Sequence, residues 1–366
     1  MGRINVDINP KVLQWTREEA GYNAEEAAIK LSVDLRLYKS WEKQGEQIPI
    51  GKLRKLAVLY KRQLAVFFLP QVPEKVKKPK DFRNLSLTES FLSKEILLTL
   101  RRSTHLQRIA NDLVGDNYWK NKLEWIEKIN SIKKENEKIN NLREIIGINI
   151  EQQMKWRSDN EAYKKWRMAL EDKLGVLVFQ FSMPINKLQG FCITENLPYI
   201  IITNSNHSYT GRIFTLFHEL SHIIKQQSGM CLIDKIEESQ KEEWNHNAFA
   251  GKFLVPADFL KPIDNLDKIT FYAHKLKISR EVYLRRLKEE KIISDSNFFI
   301  LLEKIKASYK INKKSKGFAL PEIKSKASRG ETFYNIVFDA INSNRINYSD
   351  AANALGLRLN RLLNEI

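Results

Sequence analysis

The stretch Phe214-Thr-Leu-Phe-His218-Glu219-Leu220-Ser221-His222 constrains this chain more than any other. In an α-helix, positions 218 and 222 lie one above the other, so both imidazoles can reach one metal ion. Glu219 then projects beside them, where it can hold and deprotonate a water molecule. This is the H-E-x-x-H pattern of zinc hydrolases. Leu216, Phe217, Leu220, Ile223 and Ile224 give the same helix an apolar body, as a helix buried beneath a cleft requires.

A catalytic zinc takes three protein ligands and keeps one position open. The chain has two cysteines, Cys192 and Cys231, too few for a disulfide framework or a zinc finger, so the remaining ligand is a histidine or a carboxylate. Glu243, 21 residues after His222, is the best candidate. It opens a second amphipathic helix, which can pack on the first through Phe249, Phe253 and Leu254. Glu242 and Glu238 are neighbours that composition leaves open, and two His with a carboxylate accept Mn or Fe as well as Zn. A group that steadies the tetrahedral oxyanion is expected, with Tyr209, Arg212, His207 and His246 as candidates for that role or for supporting the ligands from behind. His246 is expected behind the ligands or on the surface rather than on the metal. The β-rich run Tyr199 to Thr203 is expected, by analogy with zinc peptidases, to offer its edge to an extended substrate, or to be a buried core strand, and both can hold at once.

Around this centre the pattern is largely helical. Pro10 to Ala20, Ala24 to Leu31 and Leu35 to Gln44 read as short helices, with Ser32-Val33-Asp34 as the turn between the last two. Ala28, Leu31, Val33, Leu37 and Trp41 are the apolar contacts that would pack them as a helix-turn-helix. A helix at Lys52 to Tyr60 and the stretch Leu64 to Leu69 close the bundle, and the basic run 75–80 marks a linker. From Leu87 to Asp172 helices continue, with a highly charged segment around Trp119 to Arg143 predicted as a long solvent-washed hairpin. Val176 to Phe181, Gly190 to Ile193 and Tyr199 to Thr203 predict a small meandering sheet. Further turn-linked helix pairs are expected at Phe271 to Leu287 and Tyr348 to Leu363.

The net charge is +17, with 16 basic against 9 acidic residues in 1–80 and 12 against 6 in 300–366. Such a balance favours polyanions or acidic protein surfaces, and equally fits a lysine-rich surface without a partner. No apolar run approaches the roughly 18 residues that cross a bilayer, and no membrane partner is expected. The opening MGRINVDINP lacks a secretory signal, so a cytoplasmic location is expected.

GRIFTLFHELSH followed by EWNHNAFAGKFLVP resembles the ImmA/IrrE family of metallo-endopeptidases. By that pattern Glu243 matches the third ligand, Asn247, Phe249 and Ala250 match the following helix, and His246 stands where alanine is usual. INPKVLQWTREEAG, PKDFRNL, WRMALEDKLGVLVFQFS, GFCITENLPYIIITN and the tail from Gly330 are similar to the fused form, which carries an Xre-type helix-turn-helix ahead of the peptidase. The fold class expected is α+β, mostly helical, with a gluzincin-like peptidase domain built on a small β-sheet and the H-E-x-x-H helix. The expected segments are 1–72 (helix-turn-helix domain), 73–172 (helices with the charged hairpin), 173–262 (peptidase core), 263–312 (helix-turn-helix-like) and 313–366 (basic helical region). Aligned on an Xre recognition helix, Arg36, Lys39 and Lys43 turn toward DNA. The resemblance implies one Zn2+ per chain on His218, His222 and Glu243, with Glu219 as general base. It further implies cleavage of a protein substrate, a transcriptional repressor, in stress response, mobile-element control or phage defence. The alternative is an Xre-type DNA-binding regulator or antitoxin that uses the peptidase-like body to dock a toxin or regulator encoded nearby.

Overall fold

A computed structural model describes residues 4–73, 93–184, 188–227, 230–232, 240–263, 265–309 and 319–365. The chain divides into two compact units, Met1–Arg102 and Ser103–Ile366. It is mostly helical with two small sheets, an α+β fold. The run 75–80, PKDFRNL and Glu238 lie outside the described residues.

In the first unit the elements are β1 (Asn5–Val6), α1 (Pro10–Glu19), α2 (Ala24–Leu31), α3 (Leu35–Lys43), β2 (Ile48–Pro49) and α4 (Ile50–Leu59). A short 3-10 turn, Leu64–Phe68, follows. Side-chain caps set the helix starts: Asn9 before Pro10, a capping box between Asn23 and Glu26, and Asp34 accepting from the Arg36 amide. Ser32 ends α2 in the left-handed conformation (φ 53°), which makes the tight turn into α3. Tyr38 and Trp41, three apart, face the core, and Leu37, predicted as a core contact, is 43% exposed. Positions 37 and 38 flank 41 on the helix surface, and of the two the larger ring takes the inner place. Arg17 grips Glu42 through two bonds of 2.8 and 3.0 Å, and the Tyr38 hydroxyl joins Glu42 to Tyr60. The two-residue strands β1 and β2 pair antiparallel and are too short to leave an alternating pattern in the sequence.

The division between units falls within α5 (Lys94–Val114). The chain continues through α6 (Asp116–Lys122), α7 (Trp125–Ser131), α8 (Glu135–Ile146), α9 (Ile150–Lys155) and α10 (Asp159–Leu174). Thus 119–143 is three short helices and no solvent-washed hairpin. Trp119, Trp125, Ile126, Ile129, Ile139 and Leu142 are buried beneath a charged outer surface. A narrow apolar stripe suffices to anchor a helix, and the numerous lysines and glutamates mask it in composition. Two polar contacts fix the segment: the Trp125 indole donates to Leu174 O (2.9 Å), and Asn130 donates to Ile224 O (2.8 Å).

The sheet of the second unit contains β3 (Leu177–Phe181), β4 (Leu188–Ile193), β5 (Ile200–Asn204) and β6 (Met230–Leu232), in the order β3-β5-β4-β6. β5 runs parallel to β3 and antiparallel to β4, so the sheet is mixed and not the predicted meander. β5 is buried along its whole length and paired on both sides. Its Ile-Ile-Ile run takes the centre, as the most apolar strand does, and it offers no edge to a substrate. On this sheet lies α11 (Tyr209–Ile224), also packed against α10 and α12 (Gln240–Leu254). Gly190 in β4 permits the close approach, because a Cβ there would stand 2.4 Å from Thr215 Cγ2 and 2.5 Å from Ile202 O. Phe217 of α11 stacks on Phe253 of α12 at 4.2 Å, and Trp166 meets Phe217 edge-on at 4.9 Å.

After α12 come α13 (Leu266–Leu276), α14 (Arg280–Glu289), α15 (Asp295–Ala307), α16 (Pro321–Arg329), α17 (Glu331–Asn342), α18 (Tyr348–Leu355) and α19 (Leu359–Leu362). Buried side chains clasp the C-terminal carbonyls of α12. Arg143 donates to Phe253 O (2.6 Å), Gln153 to Leu254 O (3.2 Å), and Arg286 to Val255 O (3.2 Å) just beyond the helix. Two cations at a helix C-terminus also complement its dipole. Among the described residues no helix is long and apolar enough to cross a membrane.

Candidate metal centre

One turn of α11 separates His218 from His222, and their Nε2 atoms stand 3.3 Å apart. α12 brings Glu243 to the same point: Oε2 lies 3.3 Å from His218 Nε2 and Oε1 lies 3.7 Å from His222 Nε2. Both imidazoles are buried and the carboxylate is mostly so. Two unlike-charged ligand types converging at this spacing can be tested against a metal. A tetrahedral ion with nitrogen and oxygen ligands at about 2.0–2.1 Å requires ligand atoms about 3.3 Å apart. The imidazole pair meets that requirement, the carboxylate oxygens lie 3.3 and 3.7 Å from it, and the three residues form the group of His, Cys, Asp and Glu able to hold an ion among the described residues.

Asn247 follows Glu243 by four residues, so the two share a face of α12 as the histidines share a face of α11. Asn247 Oδ1 lies 3.0 Å from His218 Nδ1. The amide oxygen accepts the Nδ1 hydrogen, which fixes the tautomer with the Nε2 lone pair facing the other donors. Sequence reading placed Asn247 in a helix pattern and missed this bond. The spacing of four from the carboxylate was the available signal.

Glu219 is fully buried in the same turn as the histidine pair. His246 is also buried, its ring stacked on His222 with centroids 3.7 Å apart and its Nδ1 2.6 Å from Ser221 Oγ. The other oxyanion candidates sit at the start of α11. Arg212 donates to His207 O, Gln180 Oε1 and Ser205 O at 2.7–3.0 Å, so its guanidinium secures the loop before the helix. It also lies 4.4 Å over the Tyr209 ring, and Tyr209 is 5.9 Å from Tyr163. His207 is half-buried, contributing its backbone oxygen to Arg212. Burial pushes the Tyr163 hydroxyl up, opposed by Arg167, by its bond to Thr203 and by Arg212. Burial also pulls the Arg143 guanidinium down to about 10. Glu242 is exposed, and Cys192 is buried in the core with its thiol 3.6 Å from Gln227 O.

Elsewhere, Arg36, Lys39 and Lys43 are exposed on α3, and their spacing of three and four places them on one face.

Residues 171–288 match the family model described as the IrrE N-terminal-like domain, Peptidase_M78. The matched span runs from the end of α10 into α14 and contains His218, Glu219, His222, Glu243 and Asn247. Neither the curated proteins nor the solved structures include a match to the chain.

Proposed function

We propose that the chain is a zinc-dependent endopeptidase acting on a protein substrate. The convergence of His218, His222 and Glu243 within 3.3–3.7 Å of one another carries this reading. Bound there, zinc supplies Lewis acidity toward a peptide carbonyl and makes water acidic enough to attack at neutral pH. The chain's own residues do the rest. His218, His222 and Glu243 hold the ion, and Asn247 keeps the His218 ring turned toward it. Glu219 accepts the proton of the attacking water and passes it to the leaving amine. By its resemblance to the ImmA/IrrE family, the substrate is a transcriptional repressor, and the setting is stress response, mobile-element control or phage defence. One zinc per chain is expected, with manganese or iron as substitutes the same donors accept.

The test is the metal content of the purified protein beside a His218→Ala/His222→Ala variant. About one zinc per chain, lost in the variant, supports the reading and justifies a search for cleavage among repressors encoded nearby. A wild type that retains no metal after zinc supplementation overturns it. A second reading draws on the exposed face of α3. Arg36, Lys39 and Lys43 suit contact with DNA, as a regulator or antitoxin would use it, with the peptidase-like body docking a toxin or regulator. Glu219→Gln separates the two, abolishing hydrolysis and leaving DNA binding intact.

A further inference from the structure

We propose that His246 is a positioning residue that locks the His222 imidazole in its ligating orientation. This inference rests on the metal-site reading above. His246 stands on α12, one turn after Glu243, and reaches the other ligand helix, α11, in two ways. Its ring lies against the His222 ring at 3.7 Å and 22°. Its Nδ1 is 2.6 Å from Ser221 Oγ, the residue directly before His222. A ring held at one edge by a hydroxyl and pressed flat on a neighbour leaves that neighbour little rotation about its Cβ–Cγ bond.

The same geometry rules His246 out as a fourth ligand. Nearly parallel stacked rings present their in-plane nitrogen lone pairs side by side, and lone pairs so arranged do not converge on one ion. The His246 nitrogens also fall outside the group that His218, His222 and Glu243 make. His218 and His222 are therefore oriented by different means, both supplied by α12. Asn247 holds the first by a hydrogen bond to Nδ1, and His246 holds the second by a stacked face. At 1% exposure the His246 ring is part of the packing between the two helices, at the position where the resembled pattern carries alanine. With alanine here the His222 ring would lose its stacked face.

The experiment loads the full chain with cobalt(II) and measures retention by chelator competition together with the visible ligand-field spectrum. Three variants are compared with the wild type: His246→Ala, His246→Phe and Ser221→Ala. His246→Ala should weaken retention about tenfold and alter the cobalt band, the lower end of what removing a ligand's supporting partner costs. His246→Phe keeps a flat ring against His222 and should restore most of the retention and the band. Ser221→Ala, which loosens the anchor alone, should fall between His246→Ala and the wild type. Thermal unfolding of each metal-free variant shows which are folded. If His246→Ala does not fold, weakened retention in Ser221→Ala with near wild-type retention in His246→Phe supports the proposal, and wild-type retention in Ser221→Ala or strongly weakened retention in a folded His246→Phe overturns it. Wild-type retention and band in a folded His246→Ala overturn the proposal, as does a folded His246→Phe as weak as alanine. A wild type that takes up no cobalt at all overturns the metal-site reading instead, so the two failures are distinct.

Discussion

The face of α3 and the centre between α11 and α12 both began as sequence patterns, and folding treats them differently. At the centre, groups on two helices meet, with two imidazole nitrogens 3.3 Å apart and a carboxylate oxygen 3.3 or 3.7 Å from each, and an amide from the second helix orients a ligand of the first. On α3, Arg36, Lys39 and Lys43 share an exposed face of one helix. A metal site is a demand on internal distances, so a folded chain meets it or fails it. A nucleic-acid surface is a demand on a partner's shape, and solvated cations satisfy it without any internal contact.

This contrast can be tested from the strongest effect downward. Replacing Glu219 with Gln removes the proton carrier while keeping size, and peptide hydrolysis should fall by about 10³-fold with metal content unchanged. Asn247→Ala should weaken metal retention by about 10–100-fold in a chelator titration, because the His218 ring loses its partner. Unchanged retention would show that the packing of the two helices alone positions the ring. Arg143→Leu removes a buried cation bonded to Phe253 O and Gln153, and should cost about 2–3 kcal/mol in denaturant unfolding. On the other side of the comparison, Arg36→Glu with Lys39→Glu should lower affinity for duplex DNA and reduce the salt slope by about 0.9 for each phosphate no longer neutralised. An identical salt dependence would remove α3 from any DNA role.

The smallest effect tests a charge pair in the first unit. Lys94 and the Asn23 amide hold the Glu26 carboxyl below its ordinary 4.5. A depressed folded value means the pair stabilises above pH 4.5 and loses that contribution as pH falls through the lower value. Both side chains are well exposed, so Glu26→Gln should cost only about 0.5 kcal/mol at pH 7, and the difference should vanish in acid.

Local patterns were the legible part. Helix spacing alone pairs His218 with His222, and the short helices from Pro10, Ala24 and Leu35 stand where the pattern put them. Order across space was not legible. Strand positions could be read near 177, 190 and 200, yet nothing in a strand states which neighbour it takes, and β5 moved from a candidate edge to the centre. Likewise the charges of 119–143 outnumber the few apolar residues that decide its burial, and Tyr38 displaced Leu37 through a difference of one position. Glu243 was legible as a spacing, and the roles of Asn247 and Ser221 required the second helix to be laid beside the first.

The clasp at the end of α12 also sets an order of events. The histidine pair comes into being with a single helix, through a spacing of four residues. The carboxylate does not, because Arg143 and Gln153 reach the carbonyls of 253 and 254 across 110 and 101 residues of chain. Loop closure over such separations is slow compared with helix growth. The full ligand set therefore depends on α12 being seated, while the histidine pair depends on helix spacing alone. Tight retention of a metal ion thus becomes a measure of how completely this part of the chain has folded.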